Sequence, residues 1–162
     1  MIPKKMDEYL RDQLPEAAIN RRLRRRDGMC FLEFAHTDEL LLARLGITVD
    51  KLGPHLVVCA WNEASNLEIG GYLVVDNVSM GSPSMGGIRK LPDITPVDIH
   101  NLARGMTLKN AAADLPYGGG KAGIVAKFDT SPEEHMEIVR RFARLIRRYR
   151  HMYVPGPDVG TN

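Results

Sequence analysis

Residues 106–128, MTLKNAAADLPYGGGKAGIVAKF, decide how this chain folds. Within them, Gly118, Gly120 and Gly123 fall at the GxGxxG spacing of a dinucleotide-binding turn. That turn needs a strand before it and a helix after it, so that pyrophosphate meets a helix N-terminus. Here the order runs the other way. The preceding residues open at Thr95-Pro96-Val97-Asp98, with a capping residue, a proline at the first helical position and an acid three residues past the cap. They predict a helix with Ile99, Leu102, Ala103, Met106, Asn110 and Ala113 along one side, and the residues after the glycines, IVAKF, read as a strand. A phosphate-cradling P-loop fails as well, because Leu115 stands where its first glycine belongs and Ala122 where Ser or Thr should follow the lysine.

Outward from this block, residues 4–26 read as a helix carrying Met6, Leu10, Leu14, Ala17 and Ala18, with Pro15 as an interruption and Asp27-Gly28 as its end. Short apolar runs at residues 29–34, 55–60 and 72–76 read as strands. A short helix is expected over residues 37–45, capped by Thr37 and closed by Gly46. Residues 77–93 hold Gly81, Pro83, Gly86, Gly87 and Pro92, enough breakers to read as a shaped loop. Ser131-Pro132-Glu133-Glu134 opens a second long helix, with Ile138, Val139, Phe142, Leu145, Ile146 and Tyr149 facing inward and an arginine-rich tail suited to the negative end of its dipole. Residues 153–162 read as a strand end running into a turn. Strands alternating with helices predict an α/β fold, a mixed, mostly parallel sheet flanked by helices, over one domain of 162 residues.

Composition narrows the function classes. With 22 Lys and Arg against 20 Asp and Glu, the formal charge of +2 is far from that of a dedicated nucleic-acid binder. The basic stretches at residues 21–26 and 140–150 could still form such a surface, but Asp7, Glu8, Asp12, Glu16, Glu133, Glu134 and Glu137 balance much of their charge. Cys30 and Cys59 sit in apolar runs without metal-ligand spacing, so free buried thiols in a reducing cytoplasm are expected, with no metal. No apolar stretch approaches the ~20 residues that span a bilayer, and the charged N-terminus does not resemble an export signal. No membrane partner is expected.

Three residues invite chemistry. Lys121 lies among glycines that would let a substrate approach the backbone, and a desolvated lysine can serve as a base near neutrality. Lys109 lies on the preceding helix. If both reach one pocket, each disfavours the other's charge, and one can hold a carboxylate. Both could equally be solvated surface lysines. Asp158, in PGPDVG, is a lone acid between turn-formers, a place where aspartate is common for local hydrogen-bonding reasons alone.

The segments PSMGGIR (83–89), MTLKNAAADLPYGGGKAGI (106–124) and PGPDVGT (155–161) resemble, in order and spacing, signature blocks of the glutamate, leucine, phenylalanine and valine dehydrogenases. The likeness runs over roughly residues 70–162, and the first 50 or so belong to the family only by position. The resemblance implies that Lys121 is the catalytic lysine that activates water against the imine, and that Asp158 shuttles protons to and from the substrate nitrogen. It implies that Lys109 binds the substrate α-carboxylate, and that Gly86 and Gly87 border the substrate pocket. The residue before the glycine pair is a lysine in glutamate-specific members and typically leucine in leucine-type ones. Here it is Met85, which implies an apolar substrate, unless the neighbouring Lys90 supplies the missing charge.

The family's NAD- or NADP-binding domain follows this half. No strand-GxGxxG-helix unit occurs in these 162 residues, so the cofactor-binding residues are expected outside them and the chain alone is expected not to turn over. Its partners would be an L-amino acid or a 2-oxo acid with ammonia, and further copies of itself. The competing expectation is a non-catalytic assembly module, or a degenerate relative kept for subunit contacts.

Overall fold

The computed structural model describes residues 1–161. Its spine is a seven-stranded sheet: β1 (Arg24–Arg26), β2 (Met29–Ala35), β3 (Leu56–Asn62), β4 (Gly70–Val75), β5 (Ser84–Leu91), β6 (Gly120–Val125) and β7 (Tyr153–Pro157), in the spatial order β1-β2-β3-β4-β6-β5-β7. The sheet is mixed, as the sequence predicts, but the balance is reversed. The four pairings from β1 through β6 are antiparallel, and only β5 with β6 and β5 with β7 are parallel.

Alternation along the strands sends successive side chains to opposite faces. Leu32, Phe34, Val57, Cys59, Tyr72 and Val74 meet α1 (Lys4–Gln13), α3 (Glu39–Arg44) and α4 (Pro96–Ala112) on one face. Phe31, Val58, Ala60, Leu73, Ala122 and Ile124 meet α5 (Pro132–Ile146) and Tyr149 on the other. Both cysteines are buried and free.

Several boundaries differ from the sequence reading, each for a local reason. The expected helix over residues 4–26 stops at Leu14, which is extended (φ −111°, ψ 141°) because the proline after it disfavours helical geometry. A second helix, α2 (Glu16–Arg22), follows, and Arg24–Arg26 then turn into an edge strand. Asp27 and Gly28 have φ of +51° and +73°, so they form the two-residue turn of a hairpin rather than a helix end. At α3 the N-cap is Asp38, not Thr37; its carboxylate accepts from the Ala35 amide at 2.8 Å and pairs with Arg22, while Gly46 (φ +82°) does close the helix.

Residues 84–91 are strand, not loop. Their glycines answer to close packing: a Cβ on Gly86 would lie 1.6 Å from the Gly120 carbonyl oxygen of β6. The strand after the triple glycine begins at Gly120 rather than Ile124, so Lys121 is a strand residue. Both long helices start as expected. In α4 the Thr95 hydroxyl accepts from the Asp98 amide while the Asp98 carboxylate accepts from the Thr95 amide, and in α5 Ser131 accepts from the Glu134 amide.

Candidate active site

β6 and β7 converge on β5 as its two parallel neighbours, and Lys121 and Asp158 come together across it. Lys121 projects from the second residue of β6, and Asp158 follows the last residue of β7. The Lys121 Nζ stands 2.5 Å from the Asp158 Oδ2, and Arg89 of β5 donates to that same oxygen through its Nε at 3.1 Å. All three side chains are largely buried, Lys121 most of all. Thr161 braces the turn: its hydroxyl accepts from the Asp158 amide at 3.1 Å and donates to the Ile88 carbonyl at 3.0 Å. Burial works to raise the Asp158 pKa. The hydrogen bonds from Lys121, the Val159 amide and Arg89 outweigh it and bring the carboxyl from its ordinary 3.8 down to about 2, so it is ionised at neutral pH.

The glycine pair has two different tasks. Gly86 lets β5 lie against β6, and Gly87 leaves room for the ion pair. A Cβ on Gly87 would fall 2.7 Å from the Asp158 Cβ and 3.2 Å from the Lys121 Nζ. The Tyr153 hydroxyl, donating towards the carbonyls of Gly86 (2.9 Å) and Gly87 (3.1 Å), ties β7 to this stretch. Met85, half-buried at the start of the strand, donates its amide to the Gly118 carbonyl at 2.9 Å and pairs with Val154 of β7.

Lys109 makes no hydrogen bond or ion pair with Asp158 or its partners among the described residues. It stands exposed on α4, one turn beyond Met106, whose Cγ packs 3.2 Å from where a Gly86 Cβ would be, and it has no ion-pair partner among the described residues. The triple glycine also differs from its expected use. Gly118, Gly119 and Gly120 are buried, and Cβ atoms there would strike the Asn77 carbonyl oxygen (1.6 Å), the Thr107 amide nitrogen (2.1 Å) and the Ser84 hydroxyl (2.6 Å). These glycines make room for close packing of the protein's own atoms.

Two features lay outside the sequence reading. The sequence assigns Arg89 no role, and nothing in its spacing reveals that it shares an oxygen of Asp158 with Lys121. The second is the clamp that seats α4. Asp76, fully buried beyond the end of β4, accepts from the Thr107 hydroxyl (2.7 Å) and Arg104 Nε (2.8 Å), and Arg104 also grips Asp50 through both terminal nitrogens at 2.7 and 2.9 Å. Burial opposes the Asp76 charge, but His100, Arg104 and Thr107 together lower its pKa. Beside the Lys121–Asp158 pair, Arg89 also forms part of the wall of a largely apolar cleft of about 530 Å³, with Leu91, Ile94, Leu102 and Phe128.

A buried lysine–aspartate pair beside an unsubstituted strand backbone, at the parallel side of a mixed sheet, is the kind of site that can move protons at a small bound molecule. The chain belongs to the Glu/Leu/Phe/Val dehydrogenase family, whose members are amino-acid dehydrogenases: the model of that family's dimerisation domain matches residues 57–162. It is 43% identical over 95 residues to a glutamate dehydrogenase of Thermotoga maritima, covering 57% of this chain and 23% of that protein. Against a valine dehydrogenase of Streptomyces virginiae it is 34% identical over 116 residues, covering 69% and 31%. The hetero-hexameric, leucine-bound glutamate dehydrogenase of Thermus thermophilus superimposes with a TM-score of 0.54 at 25% identity, over 99% of this chain and 35% of that one. The chain thus spans about a third or less of the length of these relatives. Glutamate dehydrogenases named as NAD-specific and as NADP-dependent are both among its matches.

Proposed function

We propose that residues 1–162 form the substrate-binding and catalytic-lysine half of an NAD- or NADP-dependent amino-acid dehydrogenase that interconverts an L-amino acid with a 2-oxo acid and ammonia. The observation that carries this reading is the 2.5 Å pair of Lys121 and Asp158 against Gly87. Ionised Asp158 starts as a proton acceptor for the substrate ammonium group. Once the substrate's α-carbon has given up hydride to the nicotinamide, Lys121 is placed to take a proton from the water that attacks the resulting imine carbon, and Asp158 returns its proton to the nitrogen as ammonia departs. Lys109, exposed on α4, is the anchor for the substrate carboxylate, and Met85, Gly86 and Gly87 border the substrate.

The described residues offer no strand-glycine-helix turn for a dinucleotide. The glycines with dinucleotide-like spacing are consumed by packing, and no helix N-terminus follows them. The reading therefore assigns NAD or NADP to a domain outside residues 1–162 and no turnover to these residues alone. Homo-oligomerisation follows the family's description as a dimerisation domain.

The side-chain preference is for an apolar amino acid. Met85 offers a carboxylate neither charge nor donor, and an unpartnered carboxylate against it costs on the order of a few kcal/mol, roughly 100-fold in specificity. Lys90 supports this reading by being engaged elsewhere. It is fully buried on the α5 face, with its Nζ 2.9 Å from the Thr130 hydroxyl and 3.1 Å from His135 Nδ1. The test is reductive amination of a panel of 2-oxo acids by the enzyme containing these residues, with the 162-residue chain alone as control. Branched or aromatic 2-oxo acids are expected to outperform 2-oxoglutarate. The reverse order, or hydride transfer by the isolated chain, contradicts the reading.

A further inference from the structure

Arg26 of the first arginine-rich stretch and four arginines of the second, far apart in the sequence, face one groove in the fold. Arg26, the last residue of β1, and Arg144, Arg147, Arg148 and Arg150, from the end of α5 and the 3-10 turn after it, line a concavity of about 790 Å³ together with His151. Its floor is apolar, formed by Met29, Phe31 and Leu145. Asp27 is the one acid in the lining, and Glu33 stands nearby, hydrogen-bonded by the Tyr149 hydroxyl and 3.9 Å from Arg148 Nη2. Five guanidinium charges therefore face two carboxylates.

Among the described residues Arg144, Arg147 and Arg150 hold no carboxylate, Arg26 holds only its neighbour Asp27 at 3.6 Å, and Arg148 reaches Glu33 only at 3.9 Å. The negative end of the α5 dipole offsets about half an elementary charge, which leaves most of the excess standing. The groove is also partly organised in advance. Arg148 lies 4.5 Å over the Phe31 ring and 5.5 Å over Tyr149, which holds its guanidinium in place.

We propose that this groove binds a compact polyphosphate, free or as the phosphate tail of a nucleotide. Guanidinium forks match phosphate oxygens two at a time, and an excess of three positive charges exceeds what one phosphate group can neutralise. The volume suits a small ligand. A nucleic-acid duplex would call for a broad basic strip, and the chain as a whole carries only +2. The groove lies at the β1–β2 end of the sheet, whereas Lys121 and Asp158 lie at the β5–β7 end, so the two sites are separate.

The test is calorimetric titration of the 162-residue chain with sodium tripolyphosphate, ATP and orthophosphate at about 50 mM salt, repeated at higher salt. One site per chain is expected. Tripolyphosphate and ATP should bind at least about tenfold more tightly than orthophosphate and weaken as salt screens the charges. The double variant Arg147→Ala/Arg150→Ala, two exposed side chains outside the packing of Arg148, should lose at least about tenfold in affinity at an unchanged melting midpoint. Equal affinities for ATP and tripolyphosphate assign recognition to the phosphate tail, and tighter ATP adds a contact to the nucleoside; either supports the proposal. Absence of binding, unchanged affinity in the double variant, or tighter binding of a short DNA duplex than of tripolyphosphate overturns it. So does a double variant that loses self-association when the parent chain binds no anion, because the groove is then a subunit contact.

Discussion

Lys121, Asp158 and Arg89 form a triad in which one carboxylate oxygen serves two cations, and each member has a separable role. In the enzyme that contains these residues, Lys121→Met should lower turnover by about 100-fold or more, the scale of general acid–base catalysis. The fold should survive, because Arg89 still neutralises Asp158 and methionine retains much of the buried stem. Retention of more than about a tenth of the parent turnover would place Lys121 outside the chemistry. In the proposed chemistry Arg89 is a positioning residue: it touches Asp158, the proton carrier of that reading. Removing it in Arg89→Met takes away a donor that favours the ionised form, so the Asp158 midpoint should rise from about 2 towards its ordinary 3.8. Carboxyl-carbon NMR of the 162-residue chain reads this directly, and an unmoved midpoint would mean that Lys121 and the Val159 amide alone set the charge.

At the scale of elements, the starts of the two long helices were legible because their signal is local. Thr95-Pro96-Val97-Asp98 reads as a helix start in any context, because every group of its capping box lies within four residues. Thr95→Ala should accordingly cost about 1 kcal/mol in a denaturant melt, since it leaves the Asp98 amide without its partner at the N-terminus of α4. A loss below a few tenths of a kcal/mol would show that the box adds little beyond the packing of Ile99 and Ala103. The strand β5 was illegible for the opposite reason. Its two glycines count as breakers until β6 and Asp158 stand beside them, and only then does their lack of a side chain become the condition for pairing. Asp27-Gly28 carried a genuine hairpin signal, but the basic residues before it lack the apolar alternation that would have marked a strand.

Over the whole molecule, paired acids join the layers and set the response to pH. Asp76 and Asp50 clamp α4 to the sheet through Arg104, and Asp158 joins β7 to β5 and β6. The folded pKa of Asp76 is lowered, and those of Asp50 and Asp158 are brought from 3.8 to about 2. A depressed folded pKa gives stability that is fully present above the unfolded value and is lost as pH falls through the folded one. The melting midpoint should therefore stay nearly level down to about pH 5 and fall between about pH 4 and pH 2. Most of that fall belongs to Asp76 and Asp158, because Asp50 is half exposed and screened by solvent. A midpoint unchanged across that interval would show that these pairs organise the fold without stabilising it.

What the sequence determined by itself was whatever a short window contains: the capped starts of α4 and α5, the apolar strands β2, β3 and β4, the exclusion of a dinucleotide turn by the order helix, glycines, strand, and the family blocks that single out Lys121 and Asp158. The tertiary structure alone decided the strand order, the antiparallel majority of the sheet, the burial of the triple glycine against Asn77, Thr107 and Ser84, the third partner Arg89, and the convergence of distant arginines on one groove. The physical reason is range. Caps and alternation are set by neighbours within a turn or a strand, whereas the worth of a glycine or the partner of a charge depends on groups that folding brings in from far along the chain.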